Sequence, residues 1–529
     1  MICCFQNTLK KFLLHPLLTL FIVTSVTAKE RPYDVCVYGE TPAGITAALQ
    51  VAKMGRSVVL ISTSKHLGGM ATSGLTATDL NNFRIAGGFT KDFYQRVYAH
   101  YLDSSAWHVE GRTEYFERSK KRTYTGKNDS LKMQWVYEAG VGEKIFKQML
   151  QDHGVEVIYN QRINLKSTPF KQDGRLKTIS MESGLKIGAK MFIDASYEGD
   201  LMRMAGVSFK VGRESNATYG ETMNGIRMGA VVGNGKTSID PFVIPGNPNS
   251  GLLPFIDAKP AGPNGTGDDR TQTYCYRLTL TNDPANKIDV TKPSQYNPLW
   301  YEFLARMIAL NPDIALSSII SFTPMPNKKT DTNQGNFVGN SYAWPNANHA
   351  TRLQIAAQHK AYSMGLLWFL GNDERLPLAM RTEMKTWGWP KDEYLDTDHF
   401  PYQVYVREAR RMTSDYVMTE QNCNGSRPVA DPVAIATYPL DCHFIARVVD
   451  AEGKVRIEGG YGKQKSTYYG ISYRSIIPQR KECSNLLVPV CLSASHVAYS
   501  SIRMEPVYMV LGQTAGTAAV MALDRKMDV

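Results

Sequence analysis

An α/β protein built on a twisted parallel sheet is the fold class this sequence predicts, and three observations carry it. A short apolar, β-branched run, YDVCVY (33–38), is followed at once by the turn GETPAG (39–44) and the helical pattern ITAALQVAKMG. A further apolar run, SVVLI (57–61), completes strand, glycine turn, helix and strand, the order of a βαβ dinucleotide-binding unit of the Rossmann type. Strand patterns then recur at Val155–Ile158, Met191–Asp194 and Leu486–Val490, so the sheet draws on distant parts of the 529-residue chain.

Before the first strand, Lys10 and Lys11 precede an apolar run, Phe12–Val26, and Thr27-Ala28 supply small residues ahead of Lys29. That is the pattern of a signal peptide, 1–28, and it predicts export to a periplasmic or extracellular space. The run of about 15 residues is short of the roughly 20 that span a bilayer, so no membrane anchor is expected in the mature protein. In GETPAG, Gly39 permits the tight turn and Gly44 a close helix–strand approach, while Pro42 suits a first helical turn, where its missing N–H costs nothing. Thr41 stands where the middle glycine of G-x-G-x-x-G is expected, and Ala43 completes the turn. The amides of that first turn, with the helix dipole behind them, suit a pyrophosphate. The acidic residue expected about 20 positions on, to hold the ribose, is Ser62. An uncharged Ser62 also leaves room for a 2′-phosphate.

The segment KHLGGMATSG (65–74) follows the second strand, and glycines there let backbone run against a bulky cofactor with no Cβ in the way. Through GETPAG and HLGGM, the sequence resembles the FAD-dependent oxidoreductases with a glutathione-reductase-type FAD-binding fold, whose motifs read GGTPAG-like and HLGGM-like. AGGFTKDFYQRV (86–97), FIDASYEGDLMRMAG (192–206), YVREARRM (405–412) and NLLVPVCLSASHVAYSSIRMEPVYMVLGQTAGTAAVMA (485–522) continue the likeness in order. The resemblance implies FAD, a Rossmann-type FAD-binding domain that is non-contiguous (29–209 and 470–529), and an inserted α+β substrate or cap domain (210–469). It implies FAD contacts from Gly39, Thr41, Pro42, Ala43, Gly44, Ser62, His66, Gly68, Gly69 and Met70. It adds Val157 beside the adenine, Asp194 and Ala195 where the chain returns to the cofactor, and a helix start at 511–519 whose Gly512, Gln513 and Gly516 point at the flavin ring. His66 is also a candidate for covalent flavin attachment.

For chemistry, the flavin performs the redox step and the protein supplies position, charge and a base. His496, flanked by serines after the last strand, is the candidate base. Arg503 and Glu505 are expected either to pair with each other or to hold a substrate oxyanion. On a helix over 401–420, Arg407 and Arg411 would share a face, either as a cationic wall or as a solvated one. Further helices are predicted near 297–310 and 349–371, with aromatic platforms or core tryptophans at Trp344, Trp368, Trp387 and Trp389.

The formal net charge of +11 falls to +9 once Lys10 and Lys11 leave with the leader. No zinc-finger spacing or RNA-binding signature accompanies that charge, so nucleic acid is not an expected partner. No C-x-x-C or H-E-x-x-H occurs, and no metal is expected. Six cysteines follow residue 28, which permits disulfides in an exported chain. The reading is thus an exported FAD-dependent oxidoreductase exchanging hydride with a small organic, sugar-like substrate, its electron acceptor open. The alternatives are a flavin-dependent lyase or isomerase and a non-catalytic carbohydrate-binding protein on the same scaffold.

Overall fold

The computed structural model describes residues 31–79, 81–120, 126–235, 237–333 and 335–529, so the leader read from residues 1–28 lies outside the described residues. β1 (Arg31–Tyr38), α1 (Pro42–Lys53) and β2 (Val58–Ile61) form the first βαβ unit, and α2 (Gly88–His100) follows. Downstream come β3 (Glu156–Ile158), β4 (Phe170–Gln172), β5 (Arg175–Ser180) and β6 (Lys186–Asp194), and the sheet order is β3-β2-β1-β6-β5-β4. β3, β2, β1 and β6 run parallel, with Val37 level with Leu60 on one side and Ile193 on the other. β4 and β5 are antiparallel additions along the first half of β6.

Side chains of the parallel strands alternate between two apolar layers, as a sheet covered on both faces requires. Val35, Val37, Leu60 and Ile193 join one layer, while Cys36, Tyr38, Val59, Ile61 and Phe192 join the other. Cys36 is therefore a small core residue. All six cysteines of the described residues are free and buried.

A second, antiparallel sheet of five strands is made from β7 (Arg277–Thr281), β8 (Lys287–Asp289), β9 (Thr323–Met325), β10 (Lys329–Asn333) and β11 (Gly388–Pro390), in the order β8-β11-β7-β10-β9. α3 (Leu299–Leu310) and α4 (His349–Asn372) match the helices expected there, and Asn348 caps α4 by accepting from the Thr351 N–H. The helix expected over 401–420 is absent. Residues 405–412 run extended, Tyr405 bridging to Cys275 and Arg411-Met412 pairing with Phe209-Lys210. The helical spacing of the charges in REARRM was misleading because each of those charges has a buried partner on one side or the other of an extended chain.

The chain then returns to the first sheet. β12 (Leu486–Leu487) pairs in parallel with the second half of β6, and is followed by α5 (His496–Ile502) and α6 (Glu505–Arg525). α6 lies across α1 at very short range: a Cβ on Gly512 would sit 2.1 Å from the Ala43 carbonyl oxygen, and one on Gly516 2.5 Å from that of Ala47. The length and apolarity of α6 would suit a membrane span, but most of it is buried as a core helix.

Candidate functional site

The strands β1, β2 and β6 end on one edge of the sheet, and a cleft opens there. Its near wall is Tyr38, Gly39, Glu40, Thr41, Thr63, Gly69 and Ser196–Glu198. Its far wall comes from other parts of the chain, with Tyr276, Trp344, Arg352 and Tyr402–Val404.

The glycines of the near wall are dictated by backbone crowding. Gly39 has φ +111°, and a Cβ there would lie 2.6 Å from the Ala195 carbonyl carbon; a Cβ on Gly44 would lie 1.9 Å from the Gly39 oxygen. Strand end, helix start and the end of β6 thus meet with no room for side chains. Thr41 makes good use of the middle position. Its hydroxyl donates to the Ala195 carbonyl (2.7 Å) and accepts from the Gly44 N–H (3.3 Å), so it caps α1 and ties it to β6, with Pro42 next in the first turn. Ala195 in turn donates its N–H to Tyr38. Gly69 has φ +50°, and a Cβ on it would strike the Tyr197 hydroxyl at 2.5 Å; Gly68, at φ +102°, faces Thr72. Met70 contributes its N–H, which donates to Tyr197 Oη (3.0 Å).

Several residues expected at the cofactor are not among those lining this cleft. The Ser62 hydroxyl donates to the Ser64 carbonyl (2.7 Å), so it closes its own loop and has no part in the wall. His66 stacks on Tyr402 at 4.1 Å, with Nδ1 bonded to Glu143 (3.3 Å) and Nε2 buried 3.4 Å from Asp396 without a hydrogen bond. Val157 sits inside β3, level with Leu60, and does not line the cleft. Asp194 is buried; it accepts from Ser196 N–H and Oγ and from the Met202 N–H, and burial raises its carboxyl to about 6. The helix start expected at 511–519 is in fact the middle of α6, whose first turn is at Glu505. Gly512 and Gly516 press on α1, and Gln513 accepts from the Phe89 N–H (3.0 Å) while donating to Gln50, so this trio positions α1 and is not among the residues lining the cleft.

The candidate catalytic residues are likewise dispersed. Arg503 and Glu505 do not pair: Arg503 donates to Tyr405 Oη (2.7 Å) and the Asp441 carbonyl (2.9 Å), whereas Glu505 accepts from Tyr197 Oη (2.8 Å). Arg407 is buried and donates to the Thr273 carbonyl (2.5 Å) and Cys275 Sγ (3.1 Å). His496 is buried at the start of α5. Its Nδ1 is 2.8 Å from Glu408 and its Nε2 3.3 Å from Cys442 Sγ, a thiol–imidazole–carboxylate row that does not line the cleft. Sequence reasoning missed Cys442 and Glu408 because the row is assembled from three separate segments.

Buried charge surrounds the cleft floor. Asp200 accepts from Arg352 (2.5 and 2.9 Å) and from Arg410 (2.8 Å). Burial opposes its ionisation, yet the two arginines outweigh burial and hold the carboxyl below its usual range. Arg411 similarly bonds Glu214 (2.7 Å) and Glu408, and Glu214 falls to about 2 despite burial. Arg410, Arg411 and Glu408 of REARRM thus form interior ion pairs in place of a solvated face, while Arg407 is buried with a carbonyl and a thiol as its acceptors.

Glu505 has no cation of this kind beside it. Burial pushes it up to about 8, with the Tyr197 hydrogen bond opposing, and its Oε2 has no hydrogen-bond partner. Between pH 4.5 and 8 the unfolded chain has released this proton and the folded chain keeps it, so stability falls as pH rises through that window and levels off above it. Glu505→Gln is expected to remove this slope, making the variant more stable than the parent at pH 9 by a few kcal/mol and nearly equal to it at pH 4.5, on the scale of about 1.4 kcal/mol per pH unit. Urea unfolding midpoints at the two pH values check it.

Among known proteins, the family model described as FAD dependent oxidoreductase matches residues 34–529. No curated protein matches the chain. Similar solved structures include L-amino acid deaminase from Proteus vulgaris (15% identity, 36% of this chain and 54% of that one, TM-score 0.24). L-proline dehydrogenase from P. horikoshii (13%, 35% and 59%, TM-score 0.23) and 3-ketosteroid-delta4-(5alpha)-dehydrogenase from Rhodococcus jostii RHA1 (15%, 34% and 50%, TM-score 0.20) are two more. The chain spans between half and three fifths of the length of these proteins.

The residues present fit a flavin dinucleotide. The near wall is bare backbone at Gly39 and Gly69, both at positive φ, beside the N-terminus of the 12-residue α1. Behind Tyr197 lies a buried polar atom, Glu505 Oε2, that lacks a partner.

Proposed function

The chain belongs to the family of FAD-dependent oxidoreductases, and from that premise we propose that it exchanges a hydride with a small hydroxylated organic compound bound against the far wall of the cleft, outside the cytoplasm. FAD, when bound, supplies the hydride acceptor or donor. On this reading Gly39, Thr41 and the first turn of α1 hold the pyrophosphate, as a helix N-terminus does for phosphate groups. Gly69, Ser196 and Tyr197 continue that wall. Glu505 keeps its proton at neutral pH and offers, through Oε2, a donor in place of a charge.

The observation that carries the proposal is the pairing of two unlike walls. One is glycine and hydroxyl on the sheet edge; the other is aromatic and polar, with Tyr276, Tyr402, and Trp344 held by its Nε1 donating to Glu198 (3.1 Å). Trp387, by contrast, stacks on Phe322, and Trp389 packs on Phe400 as core. Arg407 and Arg503 flank Tyr405, next to the wall residue Val404. Both are buried, and their hydrogen-bond acceptors are carbonyls, a hydroxyl and a thiol. We assign them the electron-rich oxygen of the substrate. Export is read from residues 1–28.

The test is anaerobic mixing of the flavin-loaded protein with sugars, polyols and hydroxy acids. A compound in the panel is expected to bleach the visible flavin absorbance, and readmitted oxygen or a quinone to restore it. Conversion of a compound with no bleaching would contradict hydride transfer and favour a lyase or isomerase.

A further inference from the structure

In a Rossmann-type unit, a carboxylate just past the second strand holds the ribose hydroxyls. Here that position is Ser62, buried and with its hydroxyl turned back on Ser64. The same corner nevertheless holds a carboxylate, brought from the neighbouring loop. Glu40, directly after Gly39, reaches across so that its Oε2 accepts from the Thr63 N–H (3.0 Å) and its Oε1 from the Thr63 hydroxyl (2.6 Å). Its own carbonyl accepts from the Gly68 N–H (2.8 Å), which ties the loop to the glycine doublet. Glu40 and Thr63 both line the cleft, next to Gly39 and Thr41. An ionised carboxylate has about four acceptor directions; Thr63 takes two and the Ser64 side chain also bonds it, and the remaining capacity is left for the hydroxyls of a ligand.

We propose that Glu40 is the ribose-binding carboxylate of this protein, accepting from the 2′ and 3′ hydroxyls of the adenosine half of FAD. The proposal rests on the FAD assignment and refines it. The acid lost from the end of β2 is supplied by the x of G-x-T, and its charge faces the place where a 2′-phosphate would sit. The cleft therefore selects an unphosphorylated adenosine diol, contrary to the tolerance that an uncharged Ser62 suggests. Burial raises the Glu40 carboxyl while the two Thr63 bonds lower it, and donors from a diol would lower it further.

The test is a comparison of two ligands, FAD and its analogue with 2′-deoxyadenosine, titrated into flavin-free protein and followed by quenching of flavin fluorescence. A hydrogen bond to a charged group contributes about 1.5–3 kcal/mol, so the parent protein is expected to bind FAD roughly 10- to 100-fold more tightly than the analogue. In Glu40→Gln and Glu40→Ala, FAD binding weakens and the ratio between the two ligands falls toward one. A variant that merely loosens the fold weakens both ligands alike and leaves the ratio intact. Glu40→Gln keeps the shape of the side chain, so it still reports if Glu40→Ala does not fold. A ratio near one in the parent, or an unchanged ratio in the variants, overturns the proposal while leaving FAD in place. A folded parent protein that takes up neither ligand overturns the FAD assignment and the proposal with it.

Discussion

Replacing Gly44 with alanine is expected to abolish flavin binding and to cost at least about 3 kcal/mol of stability, the upper end of what overpacking usually costs. The added methyl would lie 1.9 Å from the Gly39 carbonyl oxygen and 3.3 Å from the Ala195 Cβ. The first of these is backbone and has no rotamer to escape into, so relief requires separating α1 from the ends of β1 and β6. That movement would also open the α1–α6 crossing, where Gly512 is already against Ala43. Gly87→Ala is the control: nothing lies within 4 Å of a Cβ there and its φ is −127°, so flavin content and stability should change little. Flavin-to-protein absorbance ratios and urea midpoints for both variants are the measurements, and a Gly44→Ala protein with full flavin content would refute the packing argument.

The second large effect is expected at Asp200. One carboxylate balances Arg352 and Arg410, and all three side chains are buried. Arg410 already leaves Nε and Nη2 without partners. Removing one member of a buried ion pair typically costs about 3–5 kcal/mol, because the remaining charge stays buried and unbalanced. Asp200→Ala strands two such charges, so its loss should reach that range, with flavin uptake falling too because Asp200 and Arg352 both line the cleft. A loss below about 1 kcal/mol in urea unfolding would show that water or Glu198 replaces the missing carboxylate.

The parts of the fold that were legible in the sequence are those in which local chemistry and tertiary position agree. β1, the GETPAG turn, α1 and β2 could be read residue by residue, because positive-φ glycines, a first-turn proline and two apolar strands are local requirements. α3 and α4 were readable for the same reason. REARRM was not: its charge spacing suits a helix, but the partners that decide its conformation, Asp200, Glu214 and Glu408, lie in other segments or turn inward. The LGQTAG run reads as a helix start because small residues are common there. Its true role, letting two helices touch, depends on α1, which lies more than 450 residues away.

The candidate site was legible in its glycines and less so in its functional groups. Ser62 stands where an acid is expected, and the carboxylate of that corner comes from Glu40, inside a turn whose local pattern points to a pyrophosphate. The one available signal was a charged residue between Gly39 and Thr41, where a small one would suffice. His496 was identified by its position after the last strand, yet Cys442 and Glu408 converge on it only in three dimensions.

The absorbance spectrum of the purified protein, before and after acid precipitation, tests the central claim most directly. The account predicts flavin bands in the native protein and, since the His66 ring is stacked on Tyr402, bonded to Glu143 and outside the cleft lining, all of the colour in the acid supernatant as FAD. A folded protein that is colourless and stays colourless when FAD is added would contradict it.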